Sequence, residues 1–249
     1  MKQIPLAIGP EPLMTFDSFV TDGNEAVLAH LHALAAEAGA PVYLWGASGS
    51  GKTHLLRALA EAVRLRVGSA GWFGAHTPLP WLFDPGWSLV VLDDCDGFDN
   101  VHQHAAFTLF IDAVAHGAQI AAAGALPPTD LPLRDDLRSR LGWGDVFALE
   151  ALAEAPARAV LFEEAARRGI ELTDEVLGYL MTRFSRDLKH LMQLLDRLDE
   201  FALAEGQKER DHGRGDSGGG SSRRHHEGRR RDADEGDSDG RQVASAGGR

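Results

Sequence analysis

Between an apolar run, Val42-Tyr43-Leu44-Trp45, and a helix-like run, His54-Leu55-Leu56-Arg57-Ala58-Leu59-Ala60, stand eight residues that few folds admit: Gly46-Ala47-Ser48-Gly49-Ser50-Gly51-Lys52-Thr53. They fill every fixed position of the pattern G-x-x-x-x-G-K-[ST]. Its glycines let the backbone curl until successive N–H groups face one anion. The helix that follows adds the positive end of its dipole. Lys52 supplies a point charge for terminal phosphates, and Thr53 a hydroxyl for Mg²⁺. An ordinary Gly/Ser turn before a helix needs neither residue in this register. The stretch from Gly46 to His54 therefore reads as a phosphate loop that binds ATP or ADP.

Such a loop belongs between a strand and a helix, and the surrounding pattern agrees. Strand-like runs fall at Val42–Trp45, Ala70–Phe73, Leu89–Leu92, Gln119–Ala123 and Val146–Leu149. Helical patterns lie between them, notably His54–Arg66 and Val101–His116. This alternation predicts an α/β core, a parallel sheet flanked by helices. After Leu152 the strands stop, and Pro156–Arg168, Asp174–Phe184 and Asp187–Ala204 read as amphipathic helices of a small all-helical domain. Thr173-Asp174-Glu175 reads as a helix start and Gly169 as a helix stop. From Gly206 onward the chain holds almost no large apolar residue, so 206–249 is expected to be a disordered tail.

Charge and cysteine content narrow the function classes. The net charge is −12, and the 10 basic and 9 acidic residues of 206–249 nearly cancel. The acidity therefore sits on the first 205 residues and argues against DNA binding by the folded part. The single cysteine, Cys95, excludes an internal disulfide, fits a cytoplasmic protein and reads as a semi-buried spectator. No apolar run is long enough to span a bilayer, and no secretory signal opens the chain.

Leu89-Val90-Val91-Leu92 ends in Asp93-Asp94. A strand buried on both faces is apolar throughout, and its carboxyl end emerges beside the phosphate loop. There Asp93 is placed to hold Mg²⁺, and Asp94 to polarise an attacking water.

A strand, a phosphate loop, a helix, a strand ending in two aspartates and then a helical lid together resemble the AAA+ ATPases. Thr15-Phe16-Asp17-Ser18-Phe19-Val20 is similar to the lead-in of the DnaA-type replication initiators, which opens onto their adenine pocket. The resemblance implies Phe19 and Val20 as base contacts. Leu137-Arg138-Ser139-Arg140-Leu141-Gly142-Trp143-Gly144 resembles the initiator box that ends an arginine-finger helix. It implies that Arg140 completes a neighbour's site, since a guanidinium is planar, always charged and able to fork onto phosphate oxygens. Read from the residues alone, Arg140 is better taken as a surface helix arginine that pairs with Asp135 or Asp136.

Two departures stand out. Ala123-Gly124-Ala125-Leu126 lacks the acid and arginine of the initiators' sensor strand. Lys189 occupies the place of their second sensor arginine, with Arg186 one turn earlier as a substitute. Both departures imply a site that holds nucleotide but hydrolyses it poorly.

Near the start, Gln3-Ile4-Pro5-Leu6-Ala7-Ile8 resembles the hexapeptide by which bacterial proteins dock on the replicative sliding clamp. Gln3, Ile4, Leu6 and Ile8 would be its contacts, presented by the spacer Gly9-Pro10-Glu11-Pro12. The initiators' DNA-binding helix-turn-helix has no counterpart after the lid, so no direct sequence-specific DNA binding is expected.

The expected layout is a clamp peptide and spacer (1–12), an AAA+ core (13–150), a helical lid (151–205) and a tail (206–249). The function the resemblance implies is negative regulation of replication initiation. The chain would dock on DNA-loaded clamp and promote hydrolysis of initiator-bound ATP through Arg140 in trans. A helicase-loader-type ATPase, a small-molecule P-loop kinase and a nucleotide-binding adaptor without ATP chemistry remain open, as does assembly into a homo-oligomer.

Overall fold

The computed structural model describes residues 14–66, 68–183, 188 and 190–198. The expected clamp contacts Gln3, Ile4, Leu6 and Ile8, the sensor candidates Arg186 and Lys189, and segment 206–249 all lie outside the described residues. Among the described residues, five strands form one parallel sheet. In chain order they are β1 (Val42–Trp45), β2 (Ala70–Phe73), β3 (Leu89–Leu92), β4 (Gln119–Gly124) and β5 (Asp145–Ala148). Their order across the sheet is β2-β3-β4-β1-β5. All five expected strands are present. β5 begins one residue earlier than expected, because the Asp145 N–H already donates to the Pro41 carbonyl at 2.8 Å.

Period-two alternation sends each strand's side chains to two helical layers. Val42, Leu44, Leu89, Val91, Ala121 and Ala123 face α1 (Glu25–Ala36) and α2 (Lys52–Leu65), meeting Leu31, Leu34, Leu55, Leu56 and Leu59. Tyr43, Val90, Leu92, Ile120 and Ala122 face α3 (Asn100–Ala115) and α4 (Asp135–Leu141), meeting Leu109, Phe110 and Leu137. Each of these buried leucines contributes roughly 1.5–3 kcal/mol over leaving it in water. The helix α1 is absent from the sequence expectations. Its outward positions Ala26, Ala29, Ala33 and Ala36 are alanines, so the polar contrast that marks a half-buried helix is nearly missing.

The C-terminal helices α5 (Glu154–Arg167), α6 (Asp174–Arg183) and the helical residues 190–198 gather a separate core. It holds Ala157, Leu161, Ala165, Leu177, Met181, Leu191 and Leu195. Gly169, at φ +71°, ends the first of these helices, and the Ile170 N–H returns to the Ala165 carbonyl at 2.9 Å, the bond that satisfies a helix's last carbonyls. Thr173 Oγ1 accepts the Val176 N–H and starts the second. Both end signals expected from sequence are thus in use. No helix among the described residues is long and apolar enough to cross a membrane.

Candidate functional site

The 46–53 loop leaves the carboxyl end of β1 and feeds α2. Gly51 stands at the helix N-cap with φ +95°, a backbone conformation that L side chains avoid. Lys52 is 8 % exposed, and its ammonium donates to the Gly46 and Ala47 carbonyls at 2.8 and 2.9 Å. The positive charge is thereby laid along the inside of the loop. Ser50 is 4 % exposed, and its Oγ has no hydrogen-bond partner among the described residues. An orphaned hydroxyl is costly inside a protein, and inside a phosphate loop an anion's oxygens would satisfy it. The residues present therefore fit a nucleotide's phosphates.

Asp93 ends β3, two strands away from β1 in the sheet. With β4 between β3 and β1, it accepts the Thr53 hydroxyl at 2.9 Å through Oδ2. Its Oδ1 accepts the Asp94 N–H at 3.0 Å, which fixes the carboxylate plane. A hydroxyl and a carboxylate side by side are the hard oxygen donors Mg²⁺ takes when phosphates and waters complete its shell. Asp94 is exposed, with a left-handed backbone at φ +51°. Both acids open on a cleft of about 690 Å³, lined also by Trp72, His76, Thr77 and Asp96.

The 15–20 segment packs on the first turn of α2. A Cβ on Gly51 would stand 2.5 Å from the Phe19 ring, so the glycine leaves room for that ring as well as for the turn. Phe19 lies edge-on to His54, with centroids 5.5 Å apart. The His54 Nε2 is 2.9 Å from the Thr15 carbonyl oxygen and 3.2 Å from Ser18 Oγ. Burial pulls the His54 imidazole below its usual value, and the Arg57 charge adds to the pull against the Thr15 bond. Val20 is exposed beside this cluster.

The apolar end of β4 is served by side chains from elsewhere. The Tyr43 hydroxyl, fully buried on β1, donates to the Leu126 carbonyl at 2.9 Å. Asp96 accepts the Ala125 N–H at 2.8 Å. Burial pushes the Tyr43 phenol far above its usual value, so it stays a donor. Neither residue was expected from sequence, because a tyrosine inside an apolar strand looks like core. Cys95 is fully buried rather than semi-buried: it faces the α3 layer beneath this turn, and its thiol donates to the Leu92 carbonyl at 3.4 Å. Asn24 is a second unexpected anchor. Its amide donates to the Glu150 carbonyl at 3.1 Å and accepts the Glu150 N–H at 2.9 Å.

Arg140 stands in the last turn of α4. The acids that could have claimed it are taken: Asp135 holds Arg138 at 2.5 Å, and Asp136 holds Arg134 at 2.6 Å. Among the described residues Arg140 forms no ion pair and no side-chain hydrogen bond. Its guanidinium lies 5.6 Å from the centre of the Trp143 ring, which is 59 % exposed.

A five-stranded parallel sheet with the phosphate-loop strand between β4 and β5, the acids on β3 and a helical domain after β5 defines a P-loop protein of the AAA+ class. A family model of the bacterial DnaA ATPase domain matches residues 11–69, and one of the Hda lid domain matches residues 154–208. An uncharacterized protein of Haemophilus influenzae is 33% identical over 215 residues, spanning 81% of this chain and 92% of that protein. The chain belongs to the DnaA-related AAA+ proteins, close to Hda. Solved structures share the fold. Domain III of the Thermotoga maritima replication initiation protein DnaA superposes with a TM-score of 0.63 at 21% identity, covering 79% of this chain and 91% of that one. AMPPCP-bound DnaA from Aquifex aeolicus gives 0.57 at 23% identity, covering 81% and 71%.

Proposed function

We propose that this chain is a nucleotide-binding regulator of replication initiation that acts on a DnaA-type initiator. In this reading the chain is laid out as a clamp peptide and spacer in 1–12, an AAA+ core in 13–150, a lid in 151–205 and a tail in 206–249. ADP or ATP is held by residues 46–53, with Lys52 and the loop N–H groups on the phosphates and Phe19 and Val20 on the base. Arg186 and Lys189 are the sensor residues this reading assigns to the nucleotide. Thr53 and Asp93 hold Mg²⁺, which when bound neutralises phosphate charge. The AMPPCP in the DnaA structure of similar fold supports an adenine nucleotide.

The observation that carries the reading is Arg140, a guanidinium left without an acid while both nearby arginines are paired. An arginine so placed is ready to meet an anion on another molecule. Gln3, Ile4, Leu6 and Ile8 dock the chain on DNA-loaded sliding clamp. Arg140 then meets the γ-phosphate of ATP bound to the initiator. Water attacks the γ-phosphorus, the bond to the bridging oxygen breaks, and Arg140 offsets the charge that develops. Asp94 is the base available for any turnover in this chain's own site. The apolar β4 end agrees with nucleotide being held there more than turned over.

The test is ATP hydrolysis by the initiator with DNA-loaded clamp, with and without this protein. Stimulation is expected, and Arg140→Ala should lower the stimulated rate at least about 100-fold. Gln3→Ala should abolish the stimulation that loaded clamp confers. Stimulation that survives Arg140→Ala would overturn the finger. No stimulation by folded, nucleotide-bound protein would overturn the regulator reading and favour a helicase-loader-type ATPase.

A further inference from the structure

His54 follows Thr53 in the first turn of α2, where a side chain would be expected to serve the phosphates. Its contacts lie instead with the lead-in segment. The Thr15 carbonyl can only accept, so Nε2 carries the proton and donates to it at 2.9 Å, with Ser18 Oγ 3.2 Å away. Thr15 and Ser18 already close a turn on themselves: Thr15 N–H donates to Ser18 Oγ, Ser18 N–H to Thr15 Oγ1 and Ser18 Oγ to the Thr15 carbonyl. Among the described residues His54 ties this turn to α2, while Arg57 one turn on donates to Met14 Sδ at 3.9 Å just ahead of it. The next residue, Phe19, packs against the His54 ring and over Gly51. The fix therefore extends to the wall beside the end of the phosphate loop.

We propose that His54 is a positioning residue that latches segment 15–20 onto α2 and so sets how tightly the base half of a bound adenine nucleotide is held. The proposal rests on the nucleotide reading above. It divides the site into two parts. The 46–53 loop holds phosphates whether or not the latch is closed, because the bonds of Lys52, Thr53 and Asp93 given above do not pass through His54. The base side depends on the latch, because Phe19 and Val20 follow the tied turn directly.

The division makes the test. Affinities for ADP and for inorganic pyrophosphate are measured by calorimetry on the full chain and on His54→Leu, His54→Gln and His54→Asn. Leucine removes the donor, glutamine can return an N–H near the Nε2 position, and asparagine falls short of it. Losing the tie is expected to weaken ADP roughly fivefold in the leucine and asparagine variants, while pyrophosphate stays within about twofold. Glutamine should restore ADP binding. If the leucine variant does not fold, the contrast between glutamine and asparagine carries the same comparison. Equal losses of ADP and pyrophosphate would overturn the latch and make His54 a support of the loop itself. Unchanged ADP binding in all three variants would overturn it as well. A wild-type chain that binds pyrophosphate but not ADP would overturn the adenine-nucleotide reading, and the latch with it.

Discussion

At the scale of single residues, the phosphate loop was legible because each fixed position of its pattern has a backbone or charge task that only one or two residue types perform. Lys52 illustrates it: the buried ammonium holds two loop carbonyls and supplies the charge. Lys52→Ala should weaken ADP binding roughly 10- to 100-fold, the range for a lost charged hydrogen-bonding partner, as read by calorimetry. Gly51→Ala should destabilise the fold by about 1–2 kcal/mol through its backbone alone. The approach to Phe19 adds to that loss, and thermal melting with and without ADP reports it. His54 gives a pH signature. Its folded value lies below 6.5, so the unfolded chain binds the proton more readily. Its contribution to stability is complete above 6.5 and is lost as pH falls from there through the folded value. Between pH 7.5 and 5.5 the melting temperature of the wild type should therefore drop further than that of His54→Gln. Tyr43, Asp96 and Asn24 were not legible, because each acts on a backbone group 29 to 126 residues away in sequence. Spacing along a chain carries no trace of such pairings.

Among elements, what could be read depended on contrast. The five strands are short runs bounded by turns or acids, and each was found within a residue of its ends. The helix α1 was missed although Val27, Leu31 and Leu34 keep a helical spacing, because the alanines on its outer face give no opposing polar signal. The start of α3 was set one residue late, at Val101 instead of Asn100. Asp99 is its N-cap, accepting the N–H groups of Val101 and His102. The His102 N–H and then its imidazole hold the Asp99 carboxyl below its usual range. This helix packs on β3 and carries Gln103, whose side chain accepts the Arg134 N–H just ahead of α4 and donates to the Phe98 carbonyl. Asp99→Ala should therefore lower the melting temperature by roughly 2–4 °C. Asp99→Asn, which keeps an acceptor, should recover most of that loss. If alanine and asparagine melt alike, the cap is not what the aspartate supplies.

For the molecule as a whole, the arrangement turns on how three cores are joined. Two lie on opposite faces of one sheet, and the third lies among the C-terminal helices. The chain passes from the sheet to the third through residues 149–153, and the sheet end of that passage is tied at two successive residues. The Leu149 N–H donates to the Trp45 carbonyl at 2.7 Å, just before the phosphate loop, and Asn24 grips both backbone groups of Glu150. Asn24 is 1 % exposed, so removing its amide leaves the Glu150 N–H and carbonyl without their partner. Asn24→Ala should destabilise the chain by about 1–3 kcal/mol. The change should also be local, because neither layer of the sheet loses a packed side chain. Limited digestion with a glutamate-specific protease should then cut faster after Glu150 and Glu154 in the variant, while Glu37 and Glu61, at the far end of α1 and on α2, keep their wild-type rates. A uniform rise at all four positions would mean that Asn24 supports the whole core rather than the junction. A selective rise would locate the hinge between core and lid at Glu150, beside the residues that lead into the phosphate loop, where a bound nucleotide could influence the lid.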